Sequence, residues 1–473
     1  MMVSTLENQS LAMIREVFSS LKAKSLELRS EEVNRRKDRL RALRRWIFQN
    51  ANQLQEAAYA DLAKPPIEFD AIEILYVLSE IKTAIRKLDQ WARARPVDAP
   101  ISMIGTRSFI QYEPRGACLI MSPWNYPFSL CIGPLVSALA AGNTVLLKPS
   151  ELTPRISSEI KRMSTEIFDP SIVAVVEGGV DIAEELVRLP FDHIFFTGSA
   201  GVGKIVMKAA AENLTSVTLE LGGKSPAIVT KKAEQDDAAQ RIAISKFVNA
   251  GQTCVAPDYV LVDKEIAEKF VEKLVRSTQH AFANKDQFPR IVSTRHFERL
   301  VELMGEAVNS GARVELNGTT DSTHNFFYPT ILTNVPLSLR LMQEEIFGPI
   351  LPVLTFSDLS EAINIVNNQP KPLGLYLFSR SKRERELVLK NTSSGGVCIN
   401  DCAIQFLHHD LPFGGVNSSG MGKAHGHSGF LTFSNEKPVL RQRNGFTSVK
   451  ILYPPYRVNI QKLLRVFMKL FYR

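Results

Sequence analysis

From residue 118 to residue 219 the chain alternates short, unbroken apolar runs with longer mixed stretches, and this alternation restricts the fold more than any other feature of its 473 residues. The runs at 118–121, 144–148, 172–176, 193–196 and 217–219 read as strands, and 128–141, 154–168, 182–189 and 201–211 read as helices between them. A strand with no polar alternation is buried on both faces. Such strands belong to a parallel sheet covered by helices, and sheets of that kind bind ligands at the carboxyl ends of their strands. A dinucleotide is the expected ligand.

From Pro226 the pattern begins again, with a strand at 227–229, a helix at 236–249, a turn around Cys254, a strand at 259–262 and a helix at 266–282. It continues through 353–356, 359–366 and 375–378, so a second α/β domain carries that cysteine. A chain of this length needs two or three substructures. Upstream, 6–63 is charged and helical, with Trp46, Ile47 and Leu54 on one apolar face. A further helix is expected at 69–95, where Ile74, Leu78, Ile81, Ile85 and Leu88 recur every three or four residues until Pro96 and Pro100 stop it. Residues 107–114 alternate as an antiparallel strand does, and 101–104 across Gly105 is its expected partner in a hairpin reaching out of the body.

The fold expected is therefore α/β: a Rossmann-type parallel-sheet cofactor domain (1–99 and 114–220), a second α/β catalytic domain (221–410), a small β oligomerisation arm (100–113 and 428–445) and an amphipathic C-terminal helix (455–473).

Five cysteines, at 118, 131, 254, 398 and 402, are odd in number and lack the paired spacing of a zinc site, which points to free thiols, a reducing compartment and no bound metal. The first residues mix Glu7, Arg15 and Glu16 into a helical pattern, unlike a secretory signal. The formal charge of +8 suggests nucleic acid at first, but the tail from Arg441 to Arg473 holds eight Lys/Arg and no Asp/Glu. The body is close to neutral, which argues against that partner.

Five segments carry chemistry. In NAGQTCVAPDYV, Cys254 sits among turn-forming residues, where a thiol can meet a carbonyl; alone, it would more often be an inert core residue. FFTGSAGVGKI is a strand, a glycine-rich turn and a helix start, in which Gly198, Gly201 and Gly203 would let a pyrophosphate approach the helix N-terminus. The same segment nearly fits a nucleotide-hydrolysing P-loop but has Ile205 where a hydroxyl must hold magnesium. LELGGKSP puts Glu220 before a double-glycine turn, as a general base or a surface carboxylate. PWNYP fixes Asn125 between prolines, as a turn residue or an oxyanion donor, and EEIFGP offers Glu345 and Phe347 before a rigid turn.

In this order the segments resemble the aldehyde dehydrogenase superfamily, and TLELGGKSP, MQEEIFGP, SSGGVCIND and LPFGGV resemble its class-three group, which includes the fatty aldehyde dehydrogenases. The resemblance implies that Cys254 attacks an aldehyde, that Asn125 and the Cys254 amide hold the resulting oxygen, that hydride passes to a nicotinamide, and that Glu220 activates the water hydrolysing the thioester. It assigns Glu345 and Phe347 to the nicotinamide ribose and ring, and Lys148 to the adenosine ribose. Glu151 would disfavour a 2'-phosphate, so NAD is favoured over NADP. Trp124, Gly198, Ser199 and Gly203 complete the implied cofactor contacts. A homodimer formed through the arm, a hydrophobic aldehyde substrate (medium- or long-chain aliphatic, or aromatic) and a cytoplasmic location follow by the same resemblance. The alternative is a catalytically idle scaffold on this fold. The chain departs from the class at Asn417, in GGVNSSGMG, and at Pro289, where glycines are usual.

In the tail, Ile460, Leu463, Leu464, Phe467, Leu470 and Phe471 fall on one helical face flanked by Lys462, Arg465 and Lys469. This helix is too short and too charged to span a bilayer. Two readings remain: docking on the body, or peripheral contact with a membrane while gating the substrate funnel.

Overall fold

The structure, a computed structural model, describes residues 2–100, 103, 105–445 and 447–471. Two sheets organise it. The first has six strands in the order Gly420–Met421, Ser216–Leu221, His193–Gly198, Ala117–Met121, Thr144–Lys148, Val173–Val175. All are parallel except Gly420–Met421, which returns from late in the chain and pairs antiparallel with Ser216–Leu221. Ala117–Met121 and Thr144–Lys148 are buried at every position, the physical reason for their unbroken apolar runs.

One face of this sheet packs on Ile14, Phe18 and Leu21 of the helix Met2–Leu28 and on Leu186 and Val206. The other face packs on Leu40, Trp46, Leu54, Ile81 and Leu135, from helices Val33–Gln49, Ala51–Leu62, Leu75–Trp91 and Ser129–Ala141. Each such aliphatic side chain, fully buried, contributes about 1.5–3 kcal/mol. The strand order reverses between Ala117–Met121 and His193–Gly198, and the crevice above that point is where α/β sheets place their ligands.

The second sheet has seven strands in the order Arg313–Leu316, Thr330–Thr333, Ile350–Phe356, Tyr259–Asp263, Pro226–Val229, Gly374–Phe378, Gly396–Ile399. Only its first pair is antiparallel. A third, antiparallel sheet holds Arg95–Val97, Thr106–Pro114 and Ser434–Gln442.

The structure departs from the sequence reading in several places. The helix expected at 69–95 begins as Pro66–Phe69, widens into a π-turn at Asp70–Ile74 and runs as Leu75–Trp91. Arg95–Val97 is instead a strand, because Pro96 cannot continue a helix but fits an edge strand. It is one neighbour of Thr106–Pro114, and Ser434–Gln442 is the other; residues 101, 102 and 104 of the expected hairpin partner lie outside the described residues. The helix expected to reach 249 stops at Phe247. Asn417 adopts φ 55°, a left-handed conformation that asparagine accepts more readily than most residues, so the substitution for glycine leaves the turn possible.

Helix Val458–Phe471 buries none of its residues, and Leu463, Val466, Leu470 and Phe471 are exposed. Among the described residues no helix is long and apolar enough to cross a membrane.

Candidate active site

The turn that presents Cys254 is held by polar anchors on both sides. After the helix Gln235–Phe247, Asn249, Ala250 and Gly251 take φ of 54°, 52° and 72°. Gly251 is obligatory there, since a Cβ would lie 2.3 Å from the Gly348 carbonyl oxygen. Asn249 Nδ2 donates to the carbonyls of Asn125 (2.9 Å) and Gln252 (3.2 Å). Gln252 Nε2 donates to the carbonyls of Asn249 and Arg290, and its Oε1 accepts from the Val292 amide, all at 3.0 Å. Beyond the cysteine, the Tyr376 hydroxyl donates to the Val255 carbonyl. Cys254 itself is half-buried, and its thiol is pushed up to about 12 by desolvation first, then by the charges of Glu345 and Glu220.

Glu220 lies in the strand Ser216–Leu221, rather than on the turn that follows. It is buried with no hydrogen-bond partner for either carboxylate oxygen, and burial raises its proton affinity well above the usual carboxylate range against the pull of Lys423. Glu345 is raised to about 8, again chiefly by burial, with the Asp258 charge adding to it. The thiol and the two carboxylates therefore share one poorly solvated space in which each ionisation opposes the next.

Sequence reasoning missed the groups that fix Glu345. Lys224 and Asp258 form a buried ion pair; Lys224 Nζ also donates to the carbonyls of Leu341 (2.8 Å) and Glu344 (2.9 Å), and Asp258 Oδ1 accepts from the Ile346 amide at 3.0 Å. Arg299 adds a hydrogen bond to the Glu345 carbonyl at 2.7 Å. Lys224 was in view, inside LELGGKSP; nothing but its distant partners marks it as structural.

Asn125 is buried, and its Nδ2 donates to the Gln252 carbonyl at 3.0 Å, which leaves one amide hydrogen free of that bond. Its own carbonyl is held by Asn249 and by Lys64 Nζ at 2.9 Å. Lys64 and Glu73, both fully buried, pair at 2.7 Å, and Glu73 Oε2 accepts the amides of Phe128 (2.9 Å) and Ser129 (3.1 Å) at the start of a helix. This pair was also missed, since a lysine and a glutamate default to the surface.

Trp124, Asn125, Gly198, Ser199, Glu220, Cys254, Glu345 and Phe347 line one cavity of about 340 Å³. Lys148 and Glu151 stand apart from it, in an adjoining cleft of about 640 Å³ that Trp124, Gly198 and Ser199 also line. Lys148 Nζ pairs with Glu151 at 2.9 Å. Gly203 lies in neither. A Cβ there would come within 2.8 Å of Leu221, so this glycine serves the packing of helix on strand rather than the approach of a phosphate. The cleft fits a dinucleotide in its chemistry: it lies at the switch point of the sheet, holds a lysine and a carboxylate at one end, and is bordered by the N-terminus of the helix Ala200–Glu212, capped by Ser199.

A switch-point cleft beside a cavity that holds a half-buried thiol, the two sharing Trp124, Gly198 and Ser199, is the arrangement an NAD(P)-dependent aldehyde dehydrogenase requires. Residues 2–439 match the Aldehyde dehydrogenase family, and the chain belongs to that family. Within it the chain stands with the class-three enzymes. It is 42% identical over 444 residues to 4,4'-diaponeurosporen-aldehyde dehydrogenase of Staphylococcus aureus, covering 93% of this chain and 96% of that one. Identity to the dimeric NADP-preferring aldehyde dehydrogenase of Canis lupus familiaris is 41% over 446 residues, 93% and 96% of the two chains. The solved substrate-bound state of Staphylococcus aureus AldH superposes with a TM-score of 0.92 at 41% identity, over 96% of this chain and 99% of that one.

Proposed function

We propose that the chain oxidises hydrophobic aldehydes, medium- or long-chain aliphatic or aromatic, to carboxylic acids by covalent catalysis at Cys254, with NAD favoured over NADP. The observation that carries this reading is the position of Cys254 between two differently built spaces. One is the cavity that gathers Glu220, Glu345 and Asn125; the other, about 190 Å³, is lined by Ile72, Tyr126, Leu130, Ile244, Val248 and Phe406. An apolar aldehyde entering by the second presents its carbonyl carbon to the sulfur.

Cys254 loses its proton to solvent, the resulting thiolate adds to that carbon, and the Asn125 amide and the Cys254 backbone N–H hold the oxyanion as it forms. The nicotinamide dinucleotide, when bound, supplies the hydride acceptor that converts the adduct to a thioester. Trp124, Lys148, Glu151, Gly198, Ser199, Glu345 and Phe347 would hold it. Glu220 then takes a proton from water, whose oxygen adds to the thioester carbon and releases the Cys254 thiolate. A carboxylate of raised proton affinity suits that step.

Turnover of a homologous series of straight-chain aldehydes with NAD tests the substrate class. Specificity is expected to rise by about fourfold per methylene until the apolar cavity is filled, as about 0.8 kcal/mol per buried CH₂ requires. A flat or falling series would refute it. For the cofactor, Glu151→Gln is expected to improve KM for NADP by roughly tenfold while changing KM for NAD little, since it removes one like charge from the cleft. Unchanged relative KM values would take Glu151 out of cofactor choice.

Two further parts of the reading concern surfaces. Ser434–Gln442 is an edge strand with a free side among the described residues, which favours a homodimer that covers it. The exposed apolar face of Val458–Phe471, with Lys462, Arg465 and Lys469 beside it, favours peripheral contact with an anionic membrane surface from the cytoplasmic side, and a role in gating the substrate. Deleting residues 458–473 is expected to abolish sedimentation with anionic vesicles and lower long-chain activity at least threefold. If neither changed, the tail would have no such role.

A further inference from the structure

Glu220 and Cys254 also line a second, smaller chamber, of about 30 Å³, whose polar wall is completed by Tyr76, Glu80, Ser129, Ser137, Thr197 and His425. Most of the rest of the wall is apolar, with Phe195, Phe406, Phe413 and Phe433 among aliphatic and small residues. A space of that size, with that many polar partners, has room for one or two waters.

His425 is an unusual residue to find there. Its φ of 71° and ψ of 138° lie in backbone territory that belongs to glycine, yet it carries a ring, which stacks on Phe413 at 4.8 Å and 8° and stands 5.2 Å from the Tyr76 ring. Such strain in a bulky residue gathers at functional sites. The His425 Nδ1 atom is buried with no partner in the protein. Burial, followed by the opposed effects of Glu80 and His409, holds the imidazole down at about 4, so it rests neutral and passes a proton only by accepting at one nitrogen as it releases from the other. The titratable groups facing it are Tyr76 and Glu80 from the helix Leu75–Trp91, His409 from the loop before His425, and Glu220 and Cys254 across the chamber.

Glu80 connects this wall to the surface. Its Oε2 accepts from the Gly426 amide at 3.0 Å, and its Oε1 lies 2.8 Å from His409 Nδ1. His409 Nε2 is 2.5 Å from the Ser79 hydroxyl, and the His409 side chain is 23% exposed.

We infer that this chamber is the exit route for the proton that Glu220 removes from the hydrolytic water: a chamber water carries it to His425, and the Glu80–His409 pair delivers it to solvent. The inference rests on Glu220 acting as the base. In each passage one proton moves and no bond between heavy atoms changes. The water's oxygen stays on the acyl carbon, the carbon–sulfur bond breaks, and Glu220 regains its charge for the next cycle. Without the relay, hydride transfer proceeds and the enzyme stalls as thioester.

The test measures the first-turnover burst of reduced nicotinamide and the steady-state rate in His425→Gly, Glu80→Gln and Glu220→Gln. Glycine relieves the backbone at 425 and leaves a space the size of imidazole; glutamine at 80 keeps an acceptor for the Gly426 amide. His425→Gly and Glu80→Gln are expected to keep the burst within about twofold and to lose roughly 10- to 100-fold in the steady state. The solvent deuterium effect on the steady state should grow, and free imidazole should restore His425→Gly. If both variants turn over like the native protein, or lose burst and steady state together without rescue, the relay is overturned. Glu220→Gln separates the two ideas: if it alone blocks the steady state, the base stands and the relay falls, whereas native turnover in Glu220→Gln removes the base itself.

Discussion

Replacing Cys254 by alanine is expected to lower turnover by at least about 10⁴-fold and to leave the fold and dinucleotide binding in place, because the loss of the proposed nucleophile is not made up by the groups around it. The anchors of the turn are the Asn249 and Gln252 amides and the Tyr376 hydroxyl, and none of them bonds to the sulfur. Alanine keeps the Cβ, so the unfolding midpoint should stay within the error of measurement. No other thiol can stand in. Cys254 alone among the five cysteines lines the cavity with Asn125 and Glu220; Cys118 and Cys131 are fully buried, and Cys398 donates to Gln405 at 2.9 Å. Absorbance of reduced nicotinamide measures the rate, and fluorescence titration with the dinucleotide measures binding. Residual turnover within tenfold of native would remove Cys254 from the mechanism; lost binding would mean the turn had collapsed.

How much of this was legible follows from what each residue type is free to do. An unbroken apolar run such as 144–148 has few places to go except the centre of a parallel sheet, and the strand Thr144–Lys148 has those bounds. Helix ends were less legible: Pro96 sets a limit to the helix of 69–95, but that it stops at Trp91 and that Arg95 joins a strand is decided by the pairing of Arg95–Val97 with Thr106–Pro114. Long-range returns left no trace at all. Nothing in Gly420–Met421 announces that it will pair with Leu219 and Glu220, some two hundred positions earlier. The glycine-rich turn was visible, but the purpose of Gly203 depends on a contact with Leu221 that belongs to another strand.

The site divides the same way. Cys254, Glu220, Asn125, Glu345 and Phe347 stand beside glycines and prolines that mark them as turn or strand-end residues, and the structure gathers them around one cavity. The charged pairs that hold them, Lys224 with Asp258 and Lys64 with Glu73, look in the sequence like ordinary solvated residues. His425 and Glu80, separated by more than three hundred positions, meet only through the packing of the helix Leu75–Trp91 on the loop that ends at Gly426.

Lys64→Met is expected to cost about 3–5 kcal/mol of stability, the usual consequence of leaving one member of a buried ion pair uncompensated, against the 0–1 kcal/mol of a surface pair. Both side chains are fully inaccessible, so water cannot replace the missing partner. The Glu73 carboxylate keeps its bonds from the Phe128 and Ser129 amides, and the charge it brings to the core is the source of the penalty. Adding Glu73→Gln to Lys64→Met removes that charge but retains an acceptor for the two amides, so the double variant should recover more than half of the loss in a denaturant titration. Activity supplies an independent readout. The Asn125 carbonyl loses one of its two donors, Lys64, and keeps Asn249, so the loop that carries the Asn125 amide is loosened rather than freed. With that amide in its proposed role, at the oxyanion and not at the resting aldehyde, kcat should fall by roughly tenfold with KM little changed, in the single and in the double variant alike. A stability loss below about 1 kcal/mol would show that the buried pair is dispensable. A recovery of kcat together with stability in the double variant would show that Lys64 supports the fold and does not position Asn125.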